Sequence, residues 1–157
     1  MKLHEVERRK GDVYESLIPL IPRDFREDLK LLSLHSKRNA KLLKGVDIPE
    51  DDENLREVEV ALKFLERALA DPNAGVEDYY RYAMDIESAL SKLYEKLSLE
   101  AKSEKTKRLF KWLAEISEEH FRILKRHLEM WKFMRENVEE EEIPEDILEQ
   151  WFEDIDI

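Results

Sequence analysis

An all-α fold, a four-helix bundle built from two helix hairpins with a long helical crossover, follows from three observations on this 157-residue chain. Only three glycines and five prolines interrupt a sequence in which 41% of residues are charged, a composition of long helices with solvated outer faces. Apolar residues recur at intervals of three and four, the helical period. The third observation is an internal repeat. Glu7, Tyr14-Glu15 and Leu17 match Glu87, Tyr94-Glu95 and Leu97 at an offset of 80. Leu32, Ser36, Asn39, Leu43 and Lys44 match Leu113, Ser117, His120, Leu124 and Lys125 at an offset of 81. Leucine spacing alone is shared by all amphipathic helices, but agreement at polar positions points to a duplicated hairpin.

The elements follow in order. Leu3, Val6, Val13 and Leu17 form the stripe of a first helix over about 2–19, stopped by Pro19 and Pro22. Asp24 with Glu27 reads as a capping pair for a second helix. That helix runs to about Lys44, with Leu29, Leu32, Leu42 and Leu43 facing inward and Gly45 as its C-cap. An acidic loop from Asp47 to Glu53 precedes the crossover helix over about 54–70, striped by Leu55, Val58, Leu62, Leu65 and Leu69. Asp71-Pro72-Asn73-Ala74-Gly75 breaks it. The fourth helix covers about 76–102 and the fifth about 104–136, with a seam of Phe110, Leu113, Ser117, His120, Leu124, His127, Trp131 and Met134. The bundle thus spans 1–136. Residues 137–157 form an acidic tail in which Pro144 opens a short amphipathic helix carrying Ile147, Leu148, Trp151, Phe152 and Ile155.

The net charge of −11 is concentrated in that tail, where Glu136 to Ile157 holds eleven acids and no base. Such a run argues against nucleic acid as partner, because phosphate binding needs a basic footprint. The absence of cysteine excludes disulfides, thiolate metal sites and cysteine nucleophiles. No apolar run approaches the roughly 18 residues of a membrane span and no signal-peptide core is evident, so a cytoplasmic protein without a membrane partner is expected. High charge without cysteine is also common in thermostable proteins. No phosphate loop or nucleophile–base pair occurs.

The polar seam carries the chemistry. Glu87 precedes Tyr94 by seven residues, Glu7 precedes Tyr14 by seven, and His120 lies on the following helix of its hairpin with Asn39 at the equivalent place. This frame resembles the rubrerythrin branch of the ferritin-like carboxylate metal proteins, over most of residues 3–131. The resemblance implies a ferritin-like bundle, metal ligands at Glu7, Glu87 and His120, and a tendency to dimerise. It also marks departures. Where the family carries bridging glutamates this chain has Ser36 and Ser117, Asn39 replaces the second histidine, and the four-cysteine rubredoxin site is missing. Two ferrous ions need about four carboxylates and only two remain; an uncompensated charge in a core costs several kcal/mol.

A degenerate di-iron site is therefore expected, with no catalytic residue, no cofactor and a structural or protein-interaction role. The alternative is a metal-binding oxidoreductase or metal-handling protein with one iron, manganese or zinc ion on Glu7, Glu87 and His120. Lys10, one turn from Glu7, is placed to replace a lost cation, and Tyr14 to hydrogen-bond Glu87. His127 reads as a core histidine with no acidic neighbour, and His4 and His35 show no pattern. The expected partners are a second copy of the chain and a protein docking through the tail.

Overall fold

The computed structural model describes residues 1–49, 51–137 and 145–153. Its regular structure among these residues is all helical: α1 (Leu3–Leu17), α2 (Arg26–Leu42), α3 (Glu53–Ala70), α4 (Val76–Glu100), α5 (Glu104–Asn137) and α6 (Glu145–Glu153). α1 pairs with α2 and α4 with α5, the two hairpins of the repeat, while α3 lies against α4 and α1. A crossover packed on that side leaves the α2–α5 side without a covering helix among the described residues.

One apolar cluster fills the interior. Leu3, Val6, Phe25, Leu29, Leu32, Leu62, Leu65, Ile86, Leu90, Leu93, Leu113 and Leu124 all contribute to it. These positions recur every three to four residues, so each helix buries one stripe and solvates the rest. Burial of each large aliphatic side chain contributes about 1.5–3 kcal/mol against chain entropy.

Caps set the boundaries. Asp52 accepts hydrogen bonds from the backbone N–H groups of Asn54 (2.9 Å) and Leu55 (3.1 Å), so α3 begins one residue earlier than its apolar stripe indicates. Gly45 follows α2 with φ +86°, the left-handed conformation in which a Cβ is strained. The Asp24–Glu27 cap does not form. A 3₁₀ turn over Arg23–Phe25 runs directly into α2, and the residue before the helix is Phe25, without a side-chain cap. Leu42 is also corrected, at 45% exposed, because the end of α2 turns Leu43 inward instead.

Beyond α5, Trp151 of α6 is partly buried on the core and stacks on Phe133 at 5.8 Å between ring centroids. The tail helix thus rests on its own bundle. Pro144, Ile155 and the side chains of Leu148 and Phe152 lie outside the described residues.

α1 and α2 are in close contact at Gly11, whose carbonyl accepts a hydrogen bond from Ser33 Oγ at 2.8 Å. A Cβ on Gly11 would stand 2.9 Å from Lys37 Cγ and 3.2 Å from the Ser33 carbonyl oxygen. The lysine stem can move aside but the backbone oxygen cannot. Gly11→Val is expected to destabilise the fold by about 2–3 kcal/mol in urea unfolding, because overpacking outweighs the smaller gain in helix propensity. An unchanged midpoint would show that the two helices are not in contact there.

Candidate functional site

The stripes of α1 and α4 each carry a glutamate in their apolar run, Glu7 and Glu87, and both side chains are fully buried. Ionised carboxylates persist in such a place only with partners. The partners are arranged reciprocally. Tyr14 of α1 donates to Glu87 Oε1 at 2.8 Å, and Tyr94 of α4 donates to Glu7 Oε1 at 2.6 Å. Each tyrosine therefore serves the glutamate of the other half, and the repeat-related residues are also spatially equivalent.

Lys10 breaks this symmetry. It occupies the position matched by Leu90 in the second half, is fully buried, and places Nζ 2.7 Å from Glu87 Oε1 and 3.1 Å from Glu7 Oε2. Burial opposes the charge on each partner, yet the attraction wins. Glu87 is pulled down to about 2 by Lys10 and, less strongly, by His120. Lys10 is raised above its ordinary value by Glu7 and Glu87. Burial and the neighbouring carboxylates raise the phenols of Tyr14 and Tyr94 well above 10, so both remain hydrogen-bond donors.

His120 of α5 completes one side of the cluster, with Nδ1 3.5 Å from Glu87 Oε1. Its Nε2 meets Nδ1 of His35 at 3.0 Å, and the two rings stack at 5.2 Å. His35, partly buried on α2, is held down to about 4 by desolvation and by His120, so it stays neutral near pH 7. The sequence reading assigned His35 no role.

The same is true of the groups around His127. Its Nε2 lies 2.7 Å from Asp28 Oδ2, its Nδ1 2.9 Å from the Tyr80 hydroxyl, and its ring stacks on Phe25 at 4.4 Å. An acidic neighbour is present after all, supplied by the first turn of α2. The available signal was spacing: Asp28 and His35 are seven apart on α2, as His120 and His127 are on α5. Two antiparallel helices with matching seven-residue intervals pair both sets at once.

The remaining polar positions of the seam are less engaged. Ser36 Oγ turns back to the Leu32 carbonyl at 2.8 Å. Ser117 Oγ, Glu87 Oε2 and both amide atoms of Asn39 are buried without a hydrogen-bond partner among the described residues. A cleft of about 270 Å³ between α4 and α5, lined by Ser88, Ser91, Glu118, Phe121 and Arg122, reaches Glu87, but the Glu87 side chain is 0% exposed.

Glu7, Glu87 and His120 are thus brought together, but around an ammonium group. Oxygens 2.7 and 3.1 Å from a common centre are spaced for N–H···O contacts; a zinc–carboxylate bond is about 2.0–2.2 Å. Among the described residues, no group of three or more His, Asp or Glu side chains is arranged to hold a metal ion. The residues present do not fit one.

The tyrosine bonds are individually testable. Tyr14→Phe and Tyr94→Phe are each expected to lower stability by about 1.5–3 kcal/mol, the range for a hydrogen bond to a charged group. Chemical denaturation of the two single variants and the double variant measures this. Strict additivity would mean that the two glutamates are not coupled through Lys10.

No described helix is long and apolar enough to cross a membrane. Comparisons with protein-family models, with curated proteins and with solved structures gave no match.

Proposed function

We propose that the chain is a ferritin-like bundle of the rubrerythrin branch with a degenerate di-iron site, and that it acts as a structural or protein-interaction scaffold, not as an oxidoreductase. The supporting observation is the Lys10 ammonium seated between Glu7 and Glu87. A cluster whose charges are neutralised by the chain's own side chains holds the helices in register, and its carboxylates present no accessible surface to a substrate. The reciprocal tyrosine–glutamate bonds favour the duplicated-hairpin ancestry on which the family reading rests.

The test is elemental analysis of protein expressed with excess iron, manganese or zinc. Metal far below one equivalent per chain is expected. Near-stoichiometric metal that disappears in Glu87→Ala would instead support the mononuclear oxidoreductase or metal-handling reading.

The scaffold reading includes a homodimer. Leu34 and Leu42 of α2 are 62% and 45% exposed, and Trp112 of α5 is 40% exposed with the Arg38 guanidinium 4.7 Å above its ring. They lie on the two helices that α3 leaves uncovered. Basic Lys30, Arg38 and Lys41 on α2 and acidic Glu115 and Glu119 on α5 suit pairing of α2 with α5 of a second copy. A native mass of two chains, reduced to one by Trp112→Glu, is the expected result; a monomer at all concentrations removes the dimer.

A further inference from the structure

We propose that the cleft between α4 and α5 binds a small zwitterion of the free amino-acid class. Its walls carry both signs of charge, acidic Glu95 and Glu118 and basic Lys92 and Arg122, around a volume of about 270 Å³. Pockets for small ligands begin at about 300 Å³, so the fit is to a molecule of amino-acid dimensions. Glu87 closes the floor with no exposed side-chain surface. A molecule in the cleft therefore rests above the Lys10 cluster without touching its carboxylates.

The charges are held apart and stand available. Glu118 and Arg122 are four residues apart on α5, glutamate first, the arrangement that favours an ion pair along a helix. Glu77 and Arg81 have the same spacing and order on α4 and do pair, at 2.6 Å. Glu118 instead turns across to α4, where Ser91 donates to its Oε1 at 3.4 Å. Lys92, Glu95 and Arg122 have no ion-pair partner among the described residues. An O–H···O contact normally spans about 2.5–3.0 Å, so the Ser91 bond is weak. Its hydroxyl, on a residue only 9% exposed, is free to turn to a ligand.

A zwitterion satisfies this lining where a single ion does not. A lone anion would meet Glu95 and Glu118, and a lone cation would meet Lys92 and Arg122. A carboxylate beside Arg122 gains a two-pronged, charge-assisted pair, and an ammonium beside Glu118 gains another. One helical turn separates the two side chains, about 5–6 Å between Cβ atoms, which suits charges carried on a single small molecule. Phe121, partly buried, offers an apolar wall. Past Glu95 and Glu118 a second cleft of about 430 Å³ holds Ala114 and Leu99, the latter 80% exposed. These surfaces favour an amino acid with an aliphatic side chain.

The probe is L-leucine, titrated into the full chain and followed by the amide NMR shifts of residues 88–95 and 118–122. Saturable binding of one molecule per chain is expected. N-acetyl-L-leucine lacks the ammonium and L-leucinamide lacks the carboxylate. Each should bind about tenfold more weakly or worse, the loss of one charge-assisted hydrogen bond. Arg122→Gln should erase the difference between leucine and leucinamide, and Glu118→Gln that between leucine and its N-acetyl form. Both side chains are exposed, so neither change should disturb the fold. No saturable shift up to the solubility limit of leucine overturns the inference. A blocked analogue that binds as well as leucine does so too, because the site would then serve one charge only. Variants that bind all three probes as wild type does place the binding elsewhere and overturn it equally. The scaffold reading survives each of these results, since its own test is metal content.

Discussion

Replacing Lys10 with methionine is expected to cost about 3–5 kcal/mol, the range for stranding a buried charge by removing its partner. Here two carboxylates lose one shared cation, and neither Tyr14 nor Tyr94 can compensate, since a phenol donates a hydrogen bond but brings no charge. Methionine keeps most of the apolar stem, so lost packing contributes little. A domain of this size has a total stability of about 5–15 kcal/mol, and the variant should unfold at markedly lower urea. The triple variant Lys10→Met/Glu7→Gln/Glu87→Gln should recover part of the loss, because a neutral polar cluster carries no desolvated charge. A Lys10→Met midpoint within 1 kcal/mol of wild type would mean that the lysine is not the counter-ion of the pair.

The second large effect is acid lability with a defined window. Glu87 sits at about 2 in the fold against 4.5 ordinarily, so the unfolded chain binds the proton more readily between those values. Its stabilisation, about 3 kcal/mol from the size of the shift, is complete above pH 4.5 and lost as pH falls towards 2. His35 acts earlier. Held near 4 against 6.5, it makes the unfolded chain the better proton acceptor between those values, so stability also declines from pH 6.5 to 4. Urea unfolding from pH 7 to 3 should therefore show two successive losses. His35→Gln should flatten the upper one and Glu87→Gln the lower one. A single transition unaffected by either variant would detach both groups from stability. Above pH 10 the sign reverses: Lys10 and the two phenols, all raised, withdraw their contributions as they deprotonate.

The helices were legible because burial leaves a period. Of the stripe Leu55, Val58, Leu62, Leu65 and Leu69, the first four are buried where the three–four spacing places them and Leu69, at the end of the helix, is partly buried against the core. Lys10 was legible for a related reason: an i,i+3 lysine beside a buried glutamate shares its face. Legibility fails where a position depends on another helix. Nothing local to Asp28 or His35 marks it as a partner of α5; only antiparallel registration with His127 and His120 does so. Capping failed at Asp24 because a 3₁₀ turn and a cap compete for the same few N–H groups, and local spacing does not rank them. The chemistry of the centre was the least readable part. The sequence shows two glutamates and a histidine in a metal-type frame, whereas their actual spacing is fixed by the side chain lodged between them.

The crossed bonds of Tyr14 to Glu87 and Tyr94 to Glu7 bear on how the chain assembles. Each hairpin offers its own carboxylate a charged or imidazole neighbour, Lys10 to Glu7 and His120 to Glu87, but the phenol bond comes from the other hairpin. An isolated half would therefore lack its tyrosine bond, and completion of the centre becomes a late event that waits for long-range docking. Lys10, present in only one half, is a single cation serving both acids, so the two hairpins share one charge at their junction.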